Sequence, residues 1–278
     1  MKARYDLAFG IGTACSCSQT LRGAGLQFLS FPFDWITLRD ETAERCDAIA
    51  CRIDHICRGF PGWFAREDFH TLGENNDDHL TNGMLDCFNE RLQMRFLHDF
   101  PRTQSLDESF PAVWAKYRRR IDRLLALLDG ARRVLVFRME RPNQAFETPL
   151  ESFRAARAKL LARYPNASFD FIAFRLDRGV PFERRKIERP ETWLTVVSFD
   201  YRSPDPKALP HVPNMPQTIA ALRELAAVRD YRTSAERKER KLKNRQKAYA
   251  KFGATNWLQY RLAKLRAKIA RHLSRPQP

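Results

Sequence analysis

No stretch of the 278-residue chain stays apolar for the ~18 residues that a membrane-crossing helix needs, so none is expected to span a bilayer. An export signal is also missing. Met1-Lys2-Ala3-Arg4-Tyr5-Asp6 leads into Leu7–Ile11, an apolar stretch too short for a signal core. With Asp6 beside it, this stretch also argues against lipid attachment at Cys15. Cysteine is confined to the first third, at Cys15, Cys17, Cys46, Cys51, Cys57 and Cys87, and no two stand in a Cys-x-x-Cys pair. We therefore expect reduced thiols, no disulfide framework and a cytoplasmic protein. No internal repeat is visible. Acidic residues run short in one place: residues 229–278 hold 16 Lys/Arg against 3 Asp/Glu, a local +13 out of +16 for the whole chain. The other 228 residues are close to neutral, with 33 basic against 30 acidic. The chain reads as a near-neutral body with a basic tail.

A hydrophobic content of 44% is enough for a sizeable core and excludes general disorder. The length allows one large domain or two small ones. Tyr5–Gly12 reads as a strand, and 14–22 as a short helix closed by Gly23 and Gly25. Residues 41–58 read as a helix with a buried stripe of Cys46, Ile49, Ile53, Cys57 and Phe60. Residues 61–90 are polar and loop-rich. Arg95–Phe100 follows as a strand and Ala112–Leu128 as an amphipathic helix. Val134–Phe137 suits a strand buried on both faces. Thr148-Pro149-Leu150-Glu151 has a capping-box pattern opening a helix to about Tyr164. Phe169–Leu176 and Trp193–Phe199 are further strands, and a proline-rich connection leads to a helix at 217–229. Strand–helix–strand order predicts parallel pairing. The expected class is α/β: a three-layer, mostly parallel sheet with flanking helices over residues 1–231, and a basic helical tail over 232–278.

The segment richest in chemical signals is Gly10-Ile11-Gly12-Thr13-Ala14-Cys15. A strand ends in glycines, and Cys15 stands at a helix start. Sites in open α/β sheets form outside the carboxyl ends of strands. A helix N-terminus offers unpaired N–H groups and partial positive charge, which favours a thiolate and can stabilise an oxyanion. Cys17 lies about 200° round the helix and is expected to be packed. The other reading of Cys15 is a small core residue beside a tight turn. The turn lacks Gly-x-Gly-x-x-Gly and Gly-Lys-Ser/Thr, so it makes a weak phosphate cradle.

Three blocks carry a family resemblance. Gly12-x-x-Cys15 with Leu21-Arg22, then Ser30-Phe31-Pro32-Phe33-Asp34-Trp35-Ile36, then Phe96-x-His98-Asp99-Phe100, in that order, resemble the bacterial family described as "putative papain-like cysteine peptidase". The resemblance covers roughly residues 5–200. It implies Cys15 as nucleophile and His98 as general base. Asp34, between Phe33 and Trp35, is expected to be partly buried and partnered; it could orient His98 or simply cap a turn. Strand alternation would put Met94, Phe96, His98 and Phe100 on one face and Asp99 on the other. The parallel pattern from Val134 onward departs from a papain fold and looks more like a doubly wound esterase sheet. In such enzymes a late loop holds acid and base; here that loop has Asp205 and His211, whose spacing is not the usual Asp-x-x-His, which leaves this a minor alternative.

Other constellations read as bland. Cys46, Cys51, His55 and Cys57 lack metal-ligand spacing, Asp77, Asp78 and His79 sit in a Gly/Asn-rich loop, and Arg184-Arg185-Lys186 reads as a solvated run. No cofactor and no metal are expected. Two functional classes stand: a cysteine-dependent hydrolase or acyl transferase acting on an acyl or peptide substrate, and a non-catalytic protein holding an anionic ligand, such as a sugar nucleotide or phosphorylated glycan, at the 10–16 turn. In the tail, Leu258, Leu262, Leu265, Ile269 and Leu273 fall on one helical face, flanked by Arg261, Lys264, Arg266, Lys268 and Arg271, with Trp257 and Tyr260 near its start. Residues 236–273 are expected either to lie on an anionic membrane surface, peripheral to the inner membrane, or to pack on the body. Nucleic acid is the lesser alternative, because no recognition motif accompanies the charge.

Overall fold

Leu7-Ala8-Phe9-Gly10 and Val134–Phe137 have no polar face to show to water. In the computed structural model both are buried parallel strands. The structure describes all residues except 1, 13–14, 39–47, 73–82, 141–147, 203–214, 252, 254 and 274–278. Contacts divide the chain into two units, Met1–Asp230 and Tyr231–Pro278.

The first unit centres on a five-stranded sheet. β2 (Leu7–Gly10), β7 (Arg133–Met139), β8 (Ser168–Leu176) and β10 (Leu194–Phe199) run parallel in that order, and β9 (Lys186–Glu191) pairs antiparallel with β10 at the edge. β1 (Ala3–Tyr5) pairs with β11 (Ala226–Val228). Alternation along β7 defines the layers. Leu135, Phe137 and Met139 share a core with Cys17 and Leu21 of α1 (Ser16–Ala24) and with Ala221 and Leu222 of α5 (Met215–Leu225). Val134 and Val136 face away from that core. On α4 (Leu150–Arg163) Phe153, Ala156 and Leu160 are buried, with Phe153 against Phe171 of β8. α4 in turn packs on α2 (Ala48–Cys57). Each fully buried Phe or Leu contributes about 1.5–3 kcal/mol. The α/β class and the mostly parallel main sheet match the sequence pattern.

Between β2 and β7 the chain builds a second, antiparallel sheet in the order β3 (Ile36–Leu38), β6 (Met94–Pro101), β5 (Met84–Asn89), β4 (Phe69–Thr71). This corrects the loop-rich reading of 61–90. The signal is aromatic rather than periodic: Phe64 stacks on Tyr117 and Trp114, and Phe69 meets Phe96 and Phe100. Tyr117 and Trp114 belong to α3 (Leu106–Gly130), which starts six residues earlier than expected. A reciprocal Ser105–Glu108 capping box opens it, and Pro111 is tolerated inside it. The expected box at Thr148 does not form. The Thr148 hydroxyl accepts from Arg138 instead, and Pro149 stands at the cap without a side-chain bond.

The second unit holds α6 (Ser234–Lys251) and α7 (Trp257–Leu273), in contact with each other. A Thr233–Glu236 capping box starts α6, and the Tyr249 and Tyr260 rings meet at 5.4 Å. No described helix is long and apolar enough to cross a membrane.

Candidate active site

Cys15 follows the carboxyl end of β2 and caps the start of α1 with helical backbone angles. Its carbonyl accepts from the Gln19 N–H and the Ser18 hydroxyl. The first-turn N–H groups of α1 have no acceptor within the helix. Two glycines make this tight turn possible. A Cβ on Gly10 would stand 2.9 Å from Cys17 Sγ, and one on Gly12 would stand 2.6 Å from Cys17 Cβ. Cys17 is packed, as its position round the helix predicts. Its thiol donates to the Phe137 carbonyl, and burial pushes its pKa up to about 12. Gly25, in the left-handed region at φ 76°, ends α1. Gly23 does not end it; it lies inside the helix, where a Cβ would stand 2.3 Å from Ile219 of α5.

Asp34 is buried and organises the aromatic turn. Its Oδ2 accepts from Arg22 at 2.8 Å, Gln27 at 2.7 Å and the Phe31 N–H at 2.9 Å. Its backbone carbonyl accepts from Ser18, the same hydroxyl that reaches Cys15. Oδ1 has no partner among the described residues. The next residue, Trp35, meets the His98 ring edge-on with centroids 6.0 Å apart, and Arg22 lies over the Trp35 ring at 5.9 Å. Ser18 thus ties Asp34 to Cys15, and Trp35 ties the same turn to His98.

His98 owes its aim to a bulge. β5 and β6 pair in one register at Met84–Pro101 and Leu85–Phe100, and in another, shifted by two, at Cys87–Phe96. Leu97, His98 and Asp99 therefore face a single residue of β5, Asp86. Strict alternation breaks there. Asp99 accepts from the Tyr117 hydroxyl at 2.7 Å and pairs with Lys116, while the Phe96 ring meets the same Tyr117. Asp99 and Phe96 do not lie on opposite faces as alternation implied. Half-burial lowers the His98 pKa below 6.5, against the opposing pull of Asp99.

Sequence reasoning missed Arg52. It is fully buried on α2, donates to the Gly12 carbonyl, and lies over the Phe33 ring at 5.1 Å. It sits inside the buried face of α2 with Ile49, Ile53 and Ile56, whereas Cys57 is only half-buried. A charged residue at an i+3 position within an apolar stripe was the available signal. At the end of β7, the buried residues Arg138 and Glu140 both bond Thr148, through its hydroxyl and its N–H.

Arg185 pairs with Glu224 and Lys186 with Asp177. Among the described residues no group of three or more His, Cys, Asp or Glu is placed to hold a metal ion. Cys46, Asp77, Asp78, His79, Asp205 and His211 lie outside the described residues.

No curated protein and no solved structure matches the chain. A family model described as "Putative papain-like cysteine peptidase" matches residues 6–174, from the start of β2 through most of β8. That span holds the glycine turn, the Asp34 hub and the β6 bulge, and the chain belongs to this family.

Proposed function

We propose that this protein is a cysteine-dependent hydrolase or acyl transferase with Cys15 as nucleophile and His98 as general base. The observation that carries this reading is the position of Cys15. It lies at the first turn of α1, just past the carboxyl end of a parallel strand, in a chain of the cysteine-peptidase family. His98 removes the thiol proton as Sγ attacks the substrate carbonyl. The carbonyl electron pair becomes an oxyanion, which first-turn N–H groups stabilise. Its collapse expels the leaving group, which takes the proton from His98. Water or an acceptor nucleophile then attacks the thioester, giving its proton to His98, and Cys15 leaves as the thiol. The half-burial that lowers the His98 pKa supports this role, because it favours the neutral imidazole, the form that accepts a proton. Asp34 acts as a positioning residue: it fixes the turn that holds Trp35 against His98.

Alkylation at pH 7 with iodoacetamide, mapped by mass spectrometry, tests the nucleophile. Burial raises the pKa of Cys17 to about 12, of Cys57 to about 11 and of Cys87 to about 12. Cys15 should label at least about tenfold faster than these three, and His98→Ala should slow it. A Cys15 that labels no faster ends the proposal.

The buried arginines Arg52 and Arg138, whose charges both reach Cys17, favour a second reading: an anion-binding protein without chemistry. Cys15→Ser separates the two, since a binder keeps its biological activity and an enzyme loses it.

A further inference from the structure

On α7, Leu258, Leu262 and Leu265 are 61%, 50% and 55% exposed. At 100° per residue they fall within about 60° of one another, so they form one apolar stripe. Arg261 and Arg266 flank that stripe on either side. Lys264 and Tyr260 occupy the opposite side, with the Lys264 ammonium over the Tyr260 ring at 5.7 Å. The preceding helix, α6, buries none of its residues. It carries eight Lys/Arg against two Glu, and Leu242 on it is 52% exposed.

Leucines that cost free energy in water and a high positive charge sit on the same two helices. Three occupants from outside the chain could meet the stripe, and the charges decide between them. A second copy would seat Leu262 and Leu265 as in a coiled coil, but Arg261 and Arg266 at the seam would then face like charges. Nucleic acid would satisfy the cations and leave the leucines in water. A lipid surface with anionic headgroups takes both, the leucines in the acyl boundary and the flanking arginines at the phosphates. We infer that the C-terminal unit, residues 231–278, binds anionic lipid surfaces by laying the Leu258–Leu262–Leu265 face of α7 into the headgroup boundary, with the basic residues of α6 and α7 adding long-range attraction.

The test is co-sedimentation of the full chain with vesicles of phosphatidylcholine alone and of equal parts phosphatidylcholine and phosphatidylglycerol. Binding to the anionic vesicles should be strong at low ionic strength and fall steeply by about 0.5 M salt. A Leu258→Ser, Leu262→Ser, Leu265→Ser variant should lose about tenfold or more in partitioning. If that variant loses helix by circular dichroism, Arg261→Gln with Arg266→Gln takes its place and should bind more weakly, with a shallower salt dependence. Equal binding to both vesicle types, binding untouched by the competent variant, or no vesicle binding together with retention on RNA or DNA would each overturn the inference.

Discussion

The edge of the Trp35 indole meets the His98 imidazole with ring planes at 88°. Trp35 is placed by the turn that Asp34 holds, and His98 by the bulge in β6. Each ring thus occupies its place for a reason independent of the other, and the contact withdraws part of His98 from water.

Trp35→Ala should return His98 toward the pKa of an exposed imidazole, near 6.5. Following the imidazole resonances with pH would show it: the titration lies below 6.5 in the wild type and moves upward in the variant. The acid limb of Cys15 alkylation should move the same way. No upward movement would mean that Trp35 contributes nothing to the desolvation of His98.

Asp34→Ala removes the acceptor shared by Arg22, Gln27 and the Phe31 N–H inside a buried turn. We expect a loss of about 3 kcal/mol in urea unfolding, since three donors lose a charged partner at once. Asp34→Asn, which keeps an acceptor, should cost less. Alkylation of Cys15 should slow in both, because the same turn accepts from Ser18.

Gly10→Ala should cost about 1–3 kcal/mol through overpacking against Cys17 Sγ. In a Cys17→Ala background the Sγ is gone and much of that cost should vanish, a non-additivity visible in a double-mutant cycle. Gly12→Ala should not be rescued in this way, because its clash is with Cys17 Cβ itself, at 2.6 Å.

Acid should destabilise the fold before the carboxylates titrate. Burial lowers the His55 pKa from 6.5 to about 4, and His98 is lowered for the same reason. The unfolded chain binds protons at pH 6.5, where the folded chain does not. The stability that neutral histidines contribute is therefore whole above pH 6.5 and is lost as the pH falls toward 4. His55→Gln should flatten the slope by about 1–2 kcal/mol over that window, after discounting for screening at a half-buried site. An unchanged slope would contradict the burial of a neutral His55.

What was legible in the sequence followed from unambiguous local patterns. Val134–Phe137 has no polar face, so a doubly buried strand was its only economical reading. The glycines before Cys15 announced a tight turn. The antiparallel sheet was hidden because Phe69, from a separate segment, meets Phe96 and Phe100 only once the strands have paired, and these rings carry no local period of their own. The direction of Asp99 was hidden by the bulge, which alternation cannot foresee. Arg52 escaped because a charge inside an apolar stripe is usually assigned to the solvent side. Its reason for burial, the Gly12 carbonyl and the Phe33 ring, lies forty and nineteen residues away in sequence.

The outer edge of the main sheet bears on how these molecules behave when crowded. β9 reads Lys186-Ile187-Glu188-Arg189-Pro190-Glu191, almost wholly exposed. Pro190 has no N–H to offer a newcomer. Any strand docking alongside would have to strip water from Lys186, Glu188, Arg189 and Glu191. Placed last in the order, this short charged segment stops the sheet on this side and makes this edge a poor template for fibrous polymerisation.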